Sequence, residues 1–195
     1  MSWQELGAKV RALATRLRAL GIEPGDRVVS YMPNVPETAI AMLATVAIGG
    51  VWSSAAPEFG AQTVIDRFEQ IEPKLAFFAD GYSFNGKMFD RRPEIAAIAG
   101  SLKSLKIAVW LYYAGYEPDL PHLDVRSFDE LVSAPAPNID EFRYARVAHD
   151  HPLWVLYSSG TTGRPKAIVH SHVGMVVEHM KSMNLHTNLR PDTCM

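Results

Sequence analysis

A chain of 195 residues, 48% of them hydrophobic and 21% charged, with a formal net charge of −2, has the composition of an ordinary globular protein with a sizeable core. The charge balance carries no basic excess for nucleic acid, so small molecules are the expected partners. Cys194 is the only cysteine, which excludes an internal disulfide and points to a reducing, cytoplasmic location.

Met1-Ser2-Trp3-Gln4-Glu5 lacks the basic-then-apolar order of a signal peptide. Ser2 and Glu5 have capping-box spacing, and Leu6, Val10, Leu13, Leu17 and Leu20 follow at steps of four and three, which predicts an amphipathic helix ending at Gly21. Such leucines serve a core face or, less commonly, a coiled-coil seam. Pro24-Gly25-Asp26 turns the chain into a strand over 27–32, and Pro36 opens a helix to Ile48. The apolar run from Thr38 to Trp52 contains Gly49-Gly50 and is shorter than the roughly 20 residues of a membrane span. A strand over 51–54, a helix over 61–71 ending before Pro73, and a strand over 74–79 complete the first half.

Strand and helix alternate with short links, which predicts an α/β fold: a doubly wound, mostly parallel sheet with helices on both faces. Ligands of such sheets bind beyond the carboxyl ends of the strands, where the segment from Asp80 to Asp90 is expected as a loop. A helix over 91–100 and a strand over 105–112 come next. Prolines 118, 121, 135 and 137 make the stretch from Ala114 to His151 irregular, with one short helix near 127–132.

The most informative stretch is Leu153-Trp-Val-Leu-Tyr-Ser-Ser-Gly-Thr-Thr-Gly-Arg-Pro-Lys-Ala-Ile-Val-His170. A strand runs into Ser158, Ser159, Gly160, Thr161, Thr162 and Gly163, and Pro165 then fixes the backbone just before Lys166. Glycines allow amides to approach a ligand, the hydroxyls add donors and Lys166 adds a mobile charge, so the loop suits the phosphates of ATP. It is not the P-loop of NTPases, which has four residues between its glycines, a Lys-Ser/Thr pair and a following helix. Here Ala167-Ile168-Val169 continues as a second strand. Ser171 can cap a last helix with Val173, Val176, Val177 and Met180 on one face. A surface hairpin rich in Ser, Thr and Gly is the unspecialised alternative for the loop.

Tyr157-Ser-Ser-Gly-Thr-Thr-Gly-Arg-Pro-Lys166 resembles the signature loop of the adenylate-forming (AMP-binding) superfamily. The run Trp52-Ser53-Ser54, Pro57-Glu58-Phe59-Gly60, Asp66-Arg67-Phe68, Gln70-Ile71-Glu72-Pro73-Lys74, Ala79-Asp80-Gly81-Tyr82 and Asn85-Gly86-Lys87 is most similar to acetoacetyl-CoA synthetases. The resemblance implies an acid–thiol ligase that uses ATP, Mg2+ and coenzyme A, with the loop on the β- and γ-phosphates. It also implies that Lys87 approaches the 3′-phosphate of coenzyme A, although related loops carry two arginines where this chain has Phe84 and Lys87; a solvated lysine is the other reading. Trp110, Trp154, Tyr112 and Tyr113 are assigned to core or strands rather than to an acyl pocket.

No Tyr-Gly-x-Thr-Glu segment, no later ribose-binding aspartate and no C-terminal lid with its lysine are found. Residues 1–195 are therefore expected to be a partial N-terminal domain, with no catalytic residue of their own and inactive alone. An exposed sheet edge is expected to promote self-association. The alternatives kept open are a non-catalytic nucleotide-binding module of this fold, or another adenylate-forming enzyme such as a short-chain acyl-CoA synthetase. Six histidines crowd the last third, but their spacing fits no zinc motif, and no Gly-x-Ser-x-Gly elbow marks a hydrolase.

Overall fold

The computed structural model describes residues 1–158 and 163–190. Helix α1 (Trp3–Ala19) begins at the expected capping box, in which Ser2 Oγ accepts from the Glu5 amide and the Glu5 carboxylate accepts from the Ser2 amide. Strand β1 (Arg27–Tyr31), helix α2 (Pro36–Ala47), strand β2 (Val51–Ala55) and helix α3 (Ala61–Phe68) follow. A 3-10 turn, Glu69–Ile71, finishes α3 where a continuous helix was expected, and Glu72 takes a left-handed conformation at φ 47° before Pro73. Next come β3 (Leu75–Ala79), β4 (Gly81–Phe84), β5 (Lys87–Asp90), α4 (Arg92–Ser101), β6 (Ile107–Leu111), β7 (Asp124–Ser127) and α5 (Phe128–Ser133). The chain continues with β8 (Pro152–Ser158), β9 (Lys166–Ser171) and α6 (His172–Lys181), extended by a π-helical turn, Ser182–His186.

Among the described residues the main sheet has the order β7-β6-β3-β1-β2-β8-β9. Every neighbouring pair is parallel except β8 and β9, so the sheet is mostly parallel as the alternating pattern predicts. Central strands β3 and β6 are buried along their whole length, which is why they read as unbroken apolar runs. Successive residues serve opposite layers. Phe77 and Val109 meet α1, α2 and α5 with Leu13, Leu17, Ile40 and Phe128, while Phe78 and Trp110 meet α3 and α4 with Val64, Phe68, Ile95 and Ile98. Among the described residues no helix is long and apolar enough to cross a membrane.

Three expectations are corrected. The segment from Asp80 to Asp90 is a two-stranded antiparallel hairpin, β4–β5, because Asn85 and Gly86 both adopt positive φ, 48° and 73°, the geometry of a type I′ turn. The irregular stretch holds β7, which pairs in parallel with β6 at the sheet edge. Tyr112 and Tyr113 lie beyond the end of β6 and are 39% and 38% exposed, so they belong neither to core nor to strand. The strand stops at Leu111 because the chain turns to present the amides of Tyr113, Ala114 and Tyr116 to the Asp80 carboxylate. Trp110, in contrast, is buried and donates from Nε1 to the Tyr116 carbonyl at 3.0 Å, and Trp154 is a half-buried member of β8.

Candidate functional site

Strands β8 and β9 are antiparallel neighbours, with Tyr157 opposite Ala167 and Ser158 opposite Lys166. The lysine therefore stands at the start of the strand leaving the loop, beside the serine that ends the strand entering it. Ser158 is half-buried and Lys166 is exposed. Gly163 sits at φ 110°, where a side chain would be strained although space around it is open. Ser159, Gly160, Thr161 and Thr162 lie outside the described residues.

Neighbouring elements brace both ends of this loop. Ser53 Oγ on β2 donates to the Val155 carbonyl at 2.8 Å. The Tyr157 hydroxyl donates to the Arg67 carbonyl at 2.6 Å, and burial pushes its pKa up to about 12, so it remains a donor at neutral pH. Pro165 accepts from Gln70 Nε2 at 3.0 Å, and Arg164 faces Glu69 at 3.4 Å. Hydroxyl and ammonium donors on fixed strands can bind a polyanion and stabilise developing negative charge.

The other residue singled out, Lys87, opens β5 at the tip of the β4–β5 hairpin, opposite Phe84, and both side chains are exposed. The hairpin base is built of aromatic and charged groups. Tyr82 stacks on Phe89 at 5.1 Å and 16°, and the Arg91 guanidinium lies 5.1 Å from the Tyr82 ring centroid and 5.8 Å from that of Phe89. Gly81 permits the close approach of the two strands, since a Cβ there would lie 2.6 Å from the Phe89 carbonyl oxygen. Asp80, which anchors this base, is a structural residue missed by sequence reasoning, because its partners are backbone amides without a sequence signature. Asn85-Gly86 was the available signal for the hairpin.

The histidines separate by environment. His151 Nε2 donates to the Gly49 carbonyl at 2.8 Å, His172 faces His151 with ring centroids 5.7 Å apart, and His170 and His179 lie edge-on to Trp154. Among the described residues no group of three His, Cys, Asp or Glu side chains could hold a metal ion. Burial, and then the neighbouring His151, lowers the His172 pKa, and its Nε2 is buried without a hydrogen-bond partner. The unfolded chain therefore takes up this proton before the folded one does as pH falls. The stability His172 contributes is complete above about pH 6.5, its unfolded value, and is lost as pH drops through the lower folded value. Urea unfolding from about pH 8 to about pH 5 is expected to weaken more steeply for the wild-type chain than for His172→Gln; equal slopes would refute this origin.

The sheet order defines a mostly parallel α/β domain, in which Ser158 and Lys166 stand at the two ends of the candidate phosphate loop. The model of the AMP-binding enzyme family matches residues 1–195, and the chain belongs to that family. It is 44% identical over 193 residues to the acetoacetyl-coenzyme A synthetase of Rhizobium meliloti (strain 1021), covering 97% of this chain and 29% of that protein. It is 35% identical to the malonamoyl-CoA synthetase vrtB of Penicillium aethiopicum, covering 98% of this chain and 27% of that one. The solved acetoacetyl-CoA synthetase from Streptomyces lividans superposes with a TM-score of 0.90 at 48% identity, over 97% of this chain and 28% of that chain. The chain thus spans less than a third of the length of these relatives.

Proposed function

We propose that the chain forms the triphosphate-holding part of an acid–thiol ligase that converts acetoacetate, ATP and coenzyme A to acetoacetyl-CoA, AMP and pyrophosphate. In such a reaction a carboxylate oxygen attacks the α-phosphorus of ATP and displaces pyrophosphate, and the thiol of coenzyme A then attacks the acyl carbon of the adenylate and displaces AMP. Ser158 and Lys166, with Ser159, Gly160, Thr161, Thr162 and Gly163 between them, hold the leaving β- and γ-phosphates. The register that pairs Ser158 with Lys166 carries this reading, because it sets a hydroxyl and an ammonium at the two ends of one glycine-containing loop. Fixed donors of this kind lower the barrier by stabilising charge that builds on the departing oxygens.

Lys87 is assigned to the 3′-phosphate of coenzyme A. With Phe84 opposite, the tip offers one cation and one aromatic face. Magnesium would arrive on the nucleotide's own phosphates, where it would offset their negative charge. The setting is a cytoplasmic enzyme with small-molecule substrates. Calorimetric titration of the chain with magnesium-ATP, with AMP as comparison, tests the reading. Binding of magnesium-ATP in preference to AMP is expected; no binding of either would remove the assignment of the loop.

The same chain is proposed to self-associate through its β9 end. The two sheet edges differ: β7 carries the paired charges Asp124 and Arg126, which discourage edge-to-edge contact, whereas β9 exposes Ile168 and Val169. Helix α6 beside it buries none of its residues and leaves Val176, Val177 and Met180 at 54–60% exposure. Sedimentation is expected to detect concentration-dependent oligomers that diminish in Val169→Lys; a monomer at all concentrations would refute the proposal.

A further inference from the structure

We infer that Gln70 is a positioning residue for Lys166, acting through the Pro165 carbonyl; the inference rests on the reading of the loop as a triphosphate site. Gln70 belongs to the 3-10 turn that ends α3. Its Nε2 donates to the Asp66 carbonyl at 2.6 Å and to the Pro165 carbonyl at 3.0 Å. The first bond fixes the side chain on its own helix. The second crosses 95 residues to the position immediately before Lys166.

Two other links join α3 and its 3-10 turn to the loop, and they differ in what they can do. The Tyr157 hydroxyl, on the Arg67 carbonyl, secures the strand that enters the loop and not the one that leaves it. Arg164 and Glu69 meet at 3.4 Å with side chains 67% and 55% exposed, where water and salt screen the pair and side-chain freedom opposes it. Gln70 is therefore the specific bond on the exit side among the described residues. It restrains Lys166 from the N-terminal side, while the pairing with Ser158 restrains it across the strands. Lysine is a point charge on a flexible four-carbon stem, so anchoring its backbone reduces the ordering needed when the ammonium meets a phosphate.

The chain with Gln70→Ala or Gln70→Glu separates this role from simple packing. Gln70 is exposed, so neither change empties the core. Glutamate keeps the shape, but its carboxylate only accepts and faces two carbonyl oxygens. Magnesium-ATP affinity is expected to fall about three- to tenfold in both variants, the scale of one hydrogen bond, with AMP affinity unchanged because AMP lacks the outer phosphates. Amide hydrogen exchange over residues 166–168, measured without nucleotide, is expected to accelerate in both. Unchanged exchange would overturn the tether itself, whatever the nucleotide does. Equal losses for AMP and magnesium-ATP, or wild-type affinity in Gln70→Glu, would overturn the positioning role. If the wild-type chain bound neither nucleotide, the functional reading would fail and take the role at the phosphates with it, while faster exchange would still identify Gln70 as a brace.

Discussion

Asp80→Ala is expected to lower folding stability by about 3–5 kcal/mol, and thermal unfolding to begin about 6–20 °C earlier, the largest stability effect of a single truncation outside the apolar core. The side chain is completely buried at the end of β3. One carboxylate oxygen accepts from the Tyr113 and Ala114 amides at 2.8 and 2.7 Å, and the other accepts from Tyr116 at 2.6 Å. Alanine would leave three amides turned toward a site without an acceptor, at about 1–3 kcal/mol for each that water fails to reach. Asp80→Asn keeps one acceptor oxygen and sets an amide group against backbone donors, so an intermediate loss is expected. The same residue closes the hairpin base, donating from its amide to Leu111 and accepting from Arg91. Both of these are backbone bonds that alanine keeps, so the effect of the substitution is expected to centre on the turn after β6. A thermal midpoint within about 2 °C of wild type would show that the turn after β6 stands without the carboxylate.

Lys166→Ala is expected to weaken magnesium-ATP binding about ten- to hundredfold, the scale of one charged hydrogen bond, while leaving AMP binding close to wild type. The lysine is exposed and its backbone is held in β9, so the variant should fold as the parent does. Arginine is not expected to rescue it fully, because a planar fork places charge differently from a compact ammonium. Raising the salt concentration should narrow the gap between parent and variant, since the lost interaction is exposed to screening. Equal magnesium-ATP affinity in the two chains would mean that the ammonium does not meet the phosphates, and the loop would then be a surface connection between strands.

Much of the architecture is legible residue by residue. Leucines at helical spacing behind the Ser2–Glu5 box become the buried side of α1, and Phe77-Phe78 reads as a buried parallel strand because both of its faces are covered. The loop motif and its lysine suggest a phosphate site through composition alone, and that reading remains the proposal tested by Lys166→Ala. The β4–β5 hairpin carried an Asn-Gly signal, but Ser83, Lys87 and Asp90 dilute the apolar alternation that would mark strands. Strand β7, Asp-Val-Arg-Ser, is too short and too charged to stand out, and only pairing with β6 makes it a strand. The face of Val173, Val176, Val177 and Met180 on α6 follows helical periodicity yet lies in solvent, because periodicity marks a face that can be buried and says nothing of what meets it.

The amino-acid sequence by itself determined the α/β class, most helix and strand positions and the phosphate-loop motif, since each depends on propensity, capping and periodicity within a few residues. Only the tertiary structure decided that β8 lies next to β2, that Ser158 faces Lys166, that Asp80 gathers three amides across more than 30 residues, and that Gln70 reaches Pro165. These are pairings between distant segments, made by backbone carbonyls and amides that every residue possesses, so their choice depends on which surfaces the packed layers bring together rather than on any local signal.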